Sequence, residues 1–210
     1  MQHTKIERIR RALVGDPVDR PPISFWAHNF ARENTAEDLA AETVRVFRSY
    51  DWDFIKIQSR ASCFAETWGN QYDYSDHPPT PPTQRHWAIH TAADLQAIRP
   101  ADPLSGSLGE QIEALRLIRQ EVGPDVPILQ TVFAPAMVLA SMTDGPAGFL
   151  DYMRDQPEAI HAALAAIRDT LTKLCPGVSA KRRRRHLLGY QGCLRRPDVT
   201  SRIRSIWSAL

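Results

Sequence analysis

The chain is short of cysteine, of long apolar runs and of any leader-like start, and each shortage removes a class of protein. Its three cysteines, Cys63, Cys175 and Cys193, are odd in number and far apart. That spacing excludes a disulfide framework and a CxxC metal site and leaves reduced thiols. No apolar stretch approaches the roughly 20 residues a helix needs to cross a bilayer, and the N-terminus, MQHTKIERIRR, lacks the apolar centre of a secretory signal. A cytoplasmic protein without membrane contact is expected. His86 and His90 stand four apart, which on a helix would place two metal ligands on one face. The flanking prolines argue against a helix there and no third ligand is in view, so neither a metal nor a cofactor is expected.

What is present is uneven in charge. Residues 176–210 hold nine basic side chains, Lys181 and Arg182 to Arg185 among them, against Asp198 alone. The tail therefore carries +8 and residues 1–175 carry −6, inside a total of +2. Such asymmetry marks a nucleic-acid-binding or localisation tail when the tail is a product of selection. Against nucleic acid as a partner stand the few aromatics near KRRRR that could stack on bases and the acidic domain before it.

Periodicity outlines the remainder. Arg8 to Val14 has helical spacing, with Gly15 placed to stop it in a left-handed conformation. Pro17, Pro21 and Pro22 then force an extended entry into Ile23–Trp26, expected as a first strand because β-branched and aromatic residues favour one. Thr35 can cap a helix over Leu39, Thr43, Val46 and Phe47, and Asp53–Gln58 reads as a second strand. Pro78, Pro79, Pro81 and Pro82 place a loop, His86–His90 reads as an edge strand before a capping Thr91, and Leu108–Val122 as a helix ending at Gly123-Pro124. Val126–Phe133 is the third strand, and Gly148–Leu174 a helical region that restarts at Pro157. A β-α-β order implies parallel strands, with 23–27, 53–58 and 127–132 as neighbours in that sequence. No fourth strand is found.

Several of these residues carry a resemblance. Ala12, Leu13, Gly15, Asp19, Arg20, Pro21 and Pro22, in a basic helix followed by DRPP and a short strand, resemble the opening of the uroporphyrinogen decarboxylase family. The likeness continues through Phe54–Gln58, FAPAMVLASM at Phe133–Met142, and DYMRDQPEAIHAALAAIRDTLTKL up to about Leu174. It implies an α/β chain, an incomplete (β/α)8 TIM-type barrel carrying roughly the first three βα units over residues 1–175. It also implies a carboxy-lyase acting on a tetrapyrrole-like polycarboxylate, inactive as this shortened chain. The family also holds corrinoid-linked methyltransferases that use a zinc-held thiol, with ligands on later strands. A rival of another class is a complete small α/β protein whose basic tail binds nucleic acid or another acidic partner.

Chemistry in such a barrel sits where strands end at their C-terminal side. The three strands deliver Trp26, His28, Asn29 and Arg32, then Lys56, Gln58 and Arg60, then Gln130 and Phe133. Arg32, Lys56 and Arg60 could pair with substrate carboxylates, or be solvated strand-end cations. His28 is the acid/base candidate because imidazole titrates near neutrality; a structural histidine bonded to nearby backbone is the alternative. The family's decarboxylases carry an Arg-Gln-Ala-Gly-Arg-Tyr signature after the first strand and an aspartate after the second. Here those places read Ala27-His28-Asn29-Phe30-Ala31-Arg32 and Gln58-Ser59-Arg60-Ala61. Asp19-Arg20 precedes the first strand and reads as structural.

Residues 176–210 are expected to be a non-native basic tail, the product of a frameshift. With codons chosen within degeneracy, regrouping residues 181–194 by one base yields Ser-Gly-Ala-Asp-Gly-Ile-Phe-Leu, a small-residue turn and apolar run of the kind a fourth strand needs.

Overall fold

The computed structural model describes residues 2–179. Its first helix, α1 (Lys5–Val14), begins in a capping box in which Thr4 and Glu7 satisfy each other's backbone donors, and it ends where Gly15 turns left-handed at φ 80°. This is the stop that its sequence predicts. The chain then runs without regular structure to a short 3-10 turn at Phe30–Arg32. Helix α2 (Ala36–Tyr50) is capped by Thr35, whose hydroxyl accepts the Asp38 amide at 3.1 Å. There follow β1 (Ile55–Ile57), α3 (Cys63–Glu66), β2 (Gln71–Asp73), β3 (Thr83–His86), α4 (Ala92–Ala97), α5 (Gly106–Val122) and β4 (Ile128–Gln130). Three helices, α6 (Pro135–Ser141), α7 (Gly145–Asp155) and α8 (Pro157–Ser179), complete the described residues.

The fold is mixed α/β with small sheets. β1 and β4 pair in parallel, Ile55 beside Ile128 and Ile57 beside Gln130. Helices α2 and α5 cover one face of this pair, packing Ala40, Val44, Phe47, Leu115 and Ile118 on Ile55, Ile57 and Ile128. Each such buried aliphatic side chain stabilises by about 1.5–3 kcal/mol. Because strand side chains alternate, Lys56 and Leu129 look to the other face, where both are half-buried. A second core gathers Phe64, Leu95, Val138, Leu139, Met142 and Ile167 from α3, α4, α6 and α8. Cys63 is fully buried beside it, and burial pushes its thiol up. Among the described residues no helix is long and apolar enough to cross a membrane.

Several expectations need correction. Residues 23–27 form no strand. Ile23 and Asp53 exchange two bonds, the Asp53 amide to the Ile23 carbonyl at 2.8 Å and the Ile23 amide to the Asp53 carboxylate at 2.8 Å. Beyond that the segment leaves β1. Pro21 and Pro22 can donate nothing to a ladder, Phe25 leans on Trp52 and Trp26 on Lys56, and a small open cleft stands there. The two other strands are shorter than expected, three residues each, and keep the parallel pairing. The edge strand at 86–90 lies earlier, at Thr83–His86, paired antiparallel with the unforeseen Gln71–Asp73. The proline-rich stretch is the connection of that hairpin, and Ile89 makes one isolated parallel bridge to Thr143. Thr91 does cap α4, in a box with Asp94. Helix α6, opening on Pro135, was not foreseen either. Pro157 opens α8 as expected, and α8 runs on to Ser179, past Leu174 where the helical region is expected to end. The rest of the basic tail lies outside the described residues.

At the N-terminal end of β1 an ion network ties the start of the chain to the sheet. Arg8 donates to Asp19 at 2.7 and 2.8 Å and to Asp53 at 2.6 Å, and Arg20 reaches the same Asp53 at 2.5 Å. Burial pushes the Asp53 carboxyl up, but Arg20, the Ile23 amide and Arg8 outweigh it and hold the group below its usual range. Asp19 and Arg20 are thereby structural groups.

Candidate functional site

At the opposite end of β1 the chain assembles a polar cluster around His28. Proline stiffening delivers the segment to Trp26, and the 3-10 turn at Phe30–Arg32 folds the chain back so that Glu33, five residues on, meets the His28 ring. Nδ1 lies 2.8 Å from Oε2 and 3.0 Å from Oε1 of Glu33. Phe30 stacks on the imidazole at 4.6 Å and 11°, and Trp26 meets it edge-on at 6.0 Å. The Gln58 amide nitrogen faces Nε2 at 2.5 Å. A carboxylate only accepts, so Nδ1 carries a proton and donates it to Glu33.

Lys56 completes the cluster. Its ammonium stands 4.0 Å from the Trp26 ring centroid, a cation–π contact. Burial pulls the ammonium down, and among the described residues no carboxylate offsets that burial. Trp26, Lys56, Gln58, Asn29, Arg32 and Glu33 all line the cleft between the 23–29 segment and α2. On its wall Glu42 takes hydrogen bonds from Arg45 and Asn29, which pull its carboxyl down to about 2.

Of the residues expected at the site, Trp26, His28, Lys56 and Gln58 are linked in a row, Lys56 to Trp26, Trp26 to His28 and His28 to Gln58, and Arg32 is exposed on the cleft. The other three are engaged elsewhere. Arg60 is buried and already neutralised, its guanidinium bonded to Glu66, to Glu110 at 2.7 Å and to the Asn34 carbonyl at 3.1 Å. It holds the loop after β1 against α5 and has no charge left over for a substrate carboxylate. Gln130 lies buried between the strand ends, donating to the Ser59 hydroxyl at 2.6 Å while its Oε1 has no partner. Phe133 packs on Phe64 with ring centroids 4.9 Å apart. Glu33 was missed; its one sequence signal is an acid shortly after a strand-end histidine and just ahead of a helix cap. His86 and His90 do come together, with Nδ1 and Nε2 3.3 Å apart, though not on a helix. Among the described residues no group of three metal ligands occurs.

The sequence profile of the uroporphyrinogen decarboxylase family matches residues 4–178. The chain belongs to the uroporphyrinogen decarboxylase family. It is 26% identical over 202 residues to the uroporphyrinogen decarboxylase of Alkalilimnicola ehrlichii, covering 82% of this chain and 52% of that protein. It is 24% identical over 166 residues to the methylcobamide:CoM methyltransferase MtbA of Methanosarcina mazei, covering 70% and 47%. The chain thus spans about half the length of the curated relatives it matches. In fold it resembles a solved methyltransferase from Methanosarcina mazei, with a TM-score of 0.68 at 19% identity over 85% of this chain and 56% of the other. These relatives are mixed in chemistry, and membership of the family does not choose a reaction for this chain.

Proposed function

We propose that residues 1–175 form the first part of a (β/α)8 barrel of the family's type, and that the cluster around His28 and Lys56 lines a pocket for a small-molecule polycarboxylate. The barrel reading is supported by the parallel β1/β4 pair with α2 and α5 on one face, which leaves Lys56 on the face a barrel would turn inward. The observation that carries the substrate class is Lys56 itself. A half-buried ammonium over the Trp26 ring, without a carboxylate among the described residues, is a charge waiting for an anionic partner. Decarboxylation of a tetrapyrrole-like polycarboxylate, the family reaction, is the reading favoured here. His28 would exchange a proton with the reacting carbon, while Trp26, Arg32, Lys56 and Gln58 would hold the substrate.

A single parallel pair cannot enclose a substrate. The 210-residue chain given uroporphyrinogen is therefore expected to form no coproporphyrinogen. Uroporphyrin, the oxidised polycarboxylate, should still quench the tryptophan fluorescence, with affinity about tenfold weaker in Lys56→Met. Absence of quenching in the unsubstituted chain would remove the polycarboxylate reading, and turnover would remove the reading of an incomplete pocket.

The second reading is a corrinoid-linked methyltransferase. It is favoured by the departure of residues 27–32 and 58–61 from the decarboxylase signature and by the methyltransferase relatives. Its zinc-held thiol would need ligands from later strands. Sequencing the gene beyond codon 174 in all frames, and assaying any longer product for zinc and for methyl transfer from methylcobalamin, separates the two.

A further inference from the structure

The described residues bury two carboxylates, Glu33 and Asp53, at 3% and 0% exposure. Burying an ionised carboxylate costs several kcal/mol unless it is paired. Asp53 meets this with two guanidinium groups, from Arg8 and Arg20. Glu33 has no arginine or lysine. Its partners are the imidazole of His28, at 2.8 Å, and the Ala61 amide at 3.4 Å. A buried acid whose principal partner is a neutral-pH base is a costly arrangement if its task is only to hold the fold, because an arginine would do that better.

The rest of the geometry concerns the orientation of one ring. Phe30 stacks flat on the imidazole and Trp26 closes its edge, so the ring is held in plane. Glu33 meets Nδ1 with both carboxylate oxygens, and Nε2 is turned toward Gln58, itself a residue of the cleft that Lys56 lines. We propose that Glu33 is the positioning residue of a His28–Glu33 pair. It accepts the Nδ1–H, fixes the imidazole in that tautomer, and leaves Nε2, on the Gln58 side of the ring, as the proton-exchanging atom.

This rests on the pocket reading above and adds the atom and the direction of transfer. A substrate group entering beside Lys56 displaces the Gln58 amide from Nε2. Nε2 first takes a proton from water; in the decarboxylation direction the C–CO2 bond then breaks, its electron pair stays on carbon, carbon dioxide leaves, and the carbon takes that proton from Nε2 of the imidazolium. The ring returns to its neutral Nδ1–H form, still bonded to Glu33, whose charge had offset the imidazolium. The same constellation without Glu33 would leave the ring free to adopt the Nε2–H tautomer that unconstrained histidine prefers, and the Nδ1–H form left after proton transfer from Nε2 would lose its acceptor.

The test reads the tautomer directly. The full chain, labelled with 15N-histidine, is studied by long-range proton–nitrogen correlation at a pH where the ring is neutral, and His28 is assigned by the signal lost in His28→Asn. The unsubstituted chain should show Nδ1 protonated and Nε2 bare, and Glu33→Ala should convert most of the population to the Nε2–H form. An Nε2–H ring in the unsubstituted chain overturns the proposal, and so does an unchanged tautomer in a folded Glu33→Ala. Should Glu33→Ala not fold, Glu33→Leu in its place keeps an apolar filler at the site, and the spectrum of the unsubstituted chain decides by itself. Loss of uroporphyrin binding with the Nδ1–H tautomer intact would count against the substrate class and leave Glu33 in its role.

Discussion

The two ends of β1 solve the same electrostatic problem in opposite ways. At its N-terminal end Asp53 is buried between Arg8 and Arg20, and Arg8 also grips Asp19, so every charge has an opposite within 3 Å. At its C-terminal end Glu33 has a histidine, and Lys56 has an aromatic face in place of an anion. The first end is closed and saturated. The second is under-neutralised and opens on a cleft, which is the condition under which a protein can offer binding or proton transfer to something else. Strand polarity thus separates the stabilising end of the sheet from the end where chemistry is proposed, as in barrel enzymes generally.

Substitutions at each end put that contrast to the test. Asp53→Asn should be the most damaging, at about 3–5 kcal/mol, because Arg8 and Arg20 would face each other without a carboxylate. Urea unfolding measures it, and a loss under about 1 kcal/mol would erase the distinction between the ends. Acid should reproduce part of that loss. Asp53 is held below its usual range, so its contribution is complete above the unfolded-state value of about 3.9 and disappears as pH falls through the lower folded value. Stability should therefore stay level from pH 7 to about pH 4.5 and fall below pH 4, with a shallower fall in Asp53→Asn.

At the other end the effects should be smaller. Glu33→Gln keeps the shape and an acceptor oxygen for His28, and a loss of about 1 kcal/mol is expected from the weaker hydrogen bond. A loss equal to that of Asp53→Asn would make Glu33 a structural anchor of the same kind. The smallest change belongs to Lys56→Met, within about 0.5 kcal/mol of no effect. Removing a desolvated ammonium roughly offsets losing its contact with Trp26. A clear destabilisation in thermal melts would show that Lys56 serves the fold.

Local chemistry was legible in the amino-acid order. Thr35 with Asp38 and Thr91 with Asp94 are helix caps whose partners stand three residues on, and Gly15 ends α1 in the left-handed conformation that suits glycine. Ile55–Ile57 and Ile128–Gln130 pair in parallel as their place in a β-α-β order implies. The unforeseen features all depend on partners distant in the chain. Ile23–Trp26 has the composition of a strand, yet a strand exists only where a neighbour completes its ladder, and beyond Ile23 the segment finds side chains and a cleft instead. Hairpin pairing of Gln71–Asp73 with Thr83–His86 spans a proline-rich loop that carries no pairing signal of its own.

The same division holds for the site. The sequence by itself marked His28, Lys56 and Gln58, because residue type and position near a strand end are properties of the linear order. Only the tertiary structure decided that Arg60 is consumed by Glu66 and Glu110 while Lys56 is left without a carboxylate, and that Glu33 turns back onto His28. The physical reason is that charge neutralisation depends on distances of a few ångströms between side chains 5 to 50 residues apart, and those distances exist only once the helices have packed.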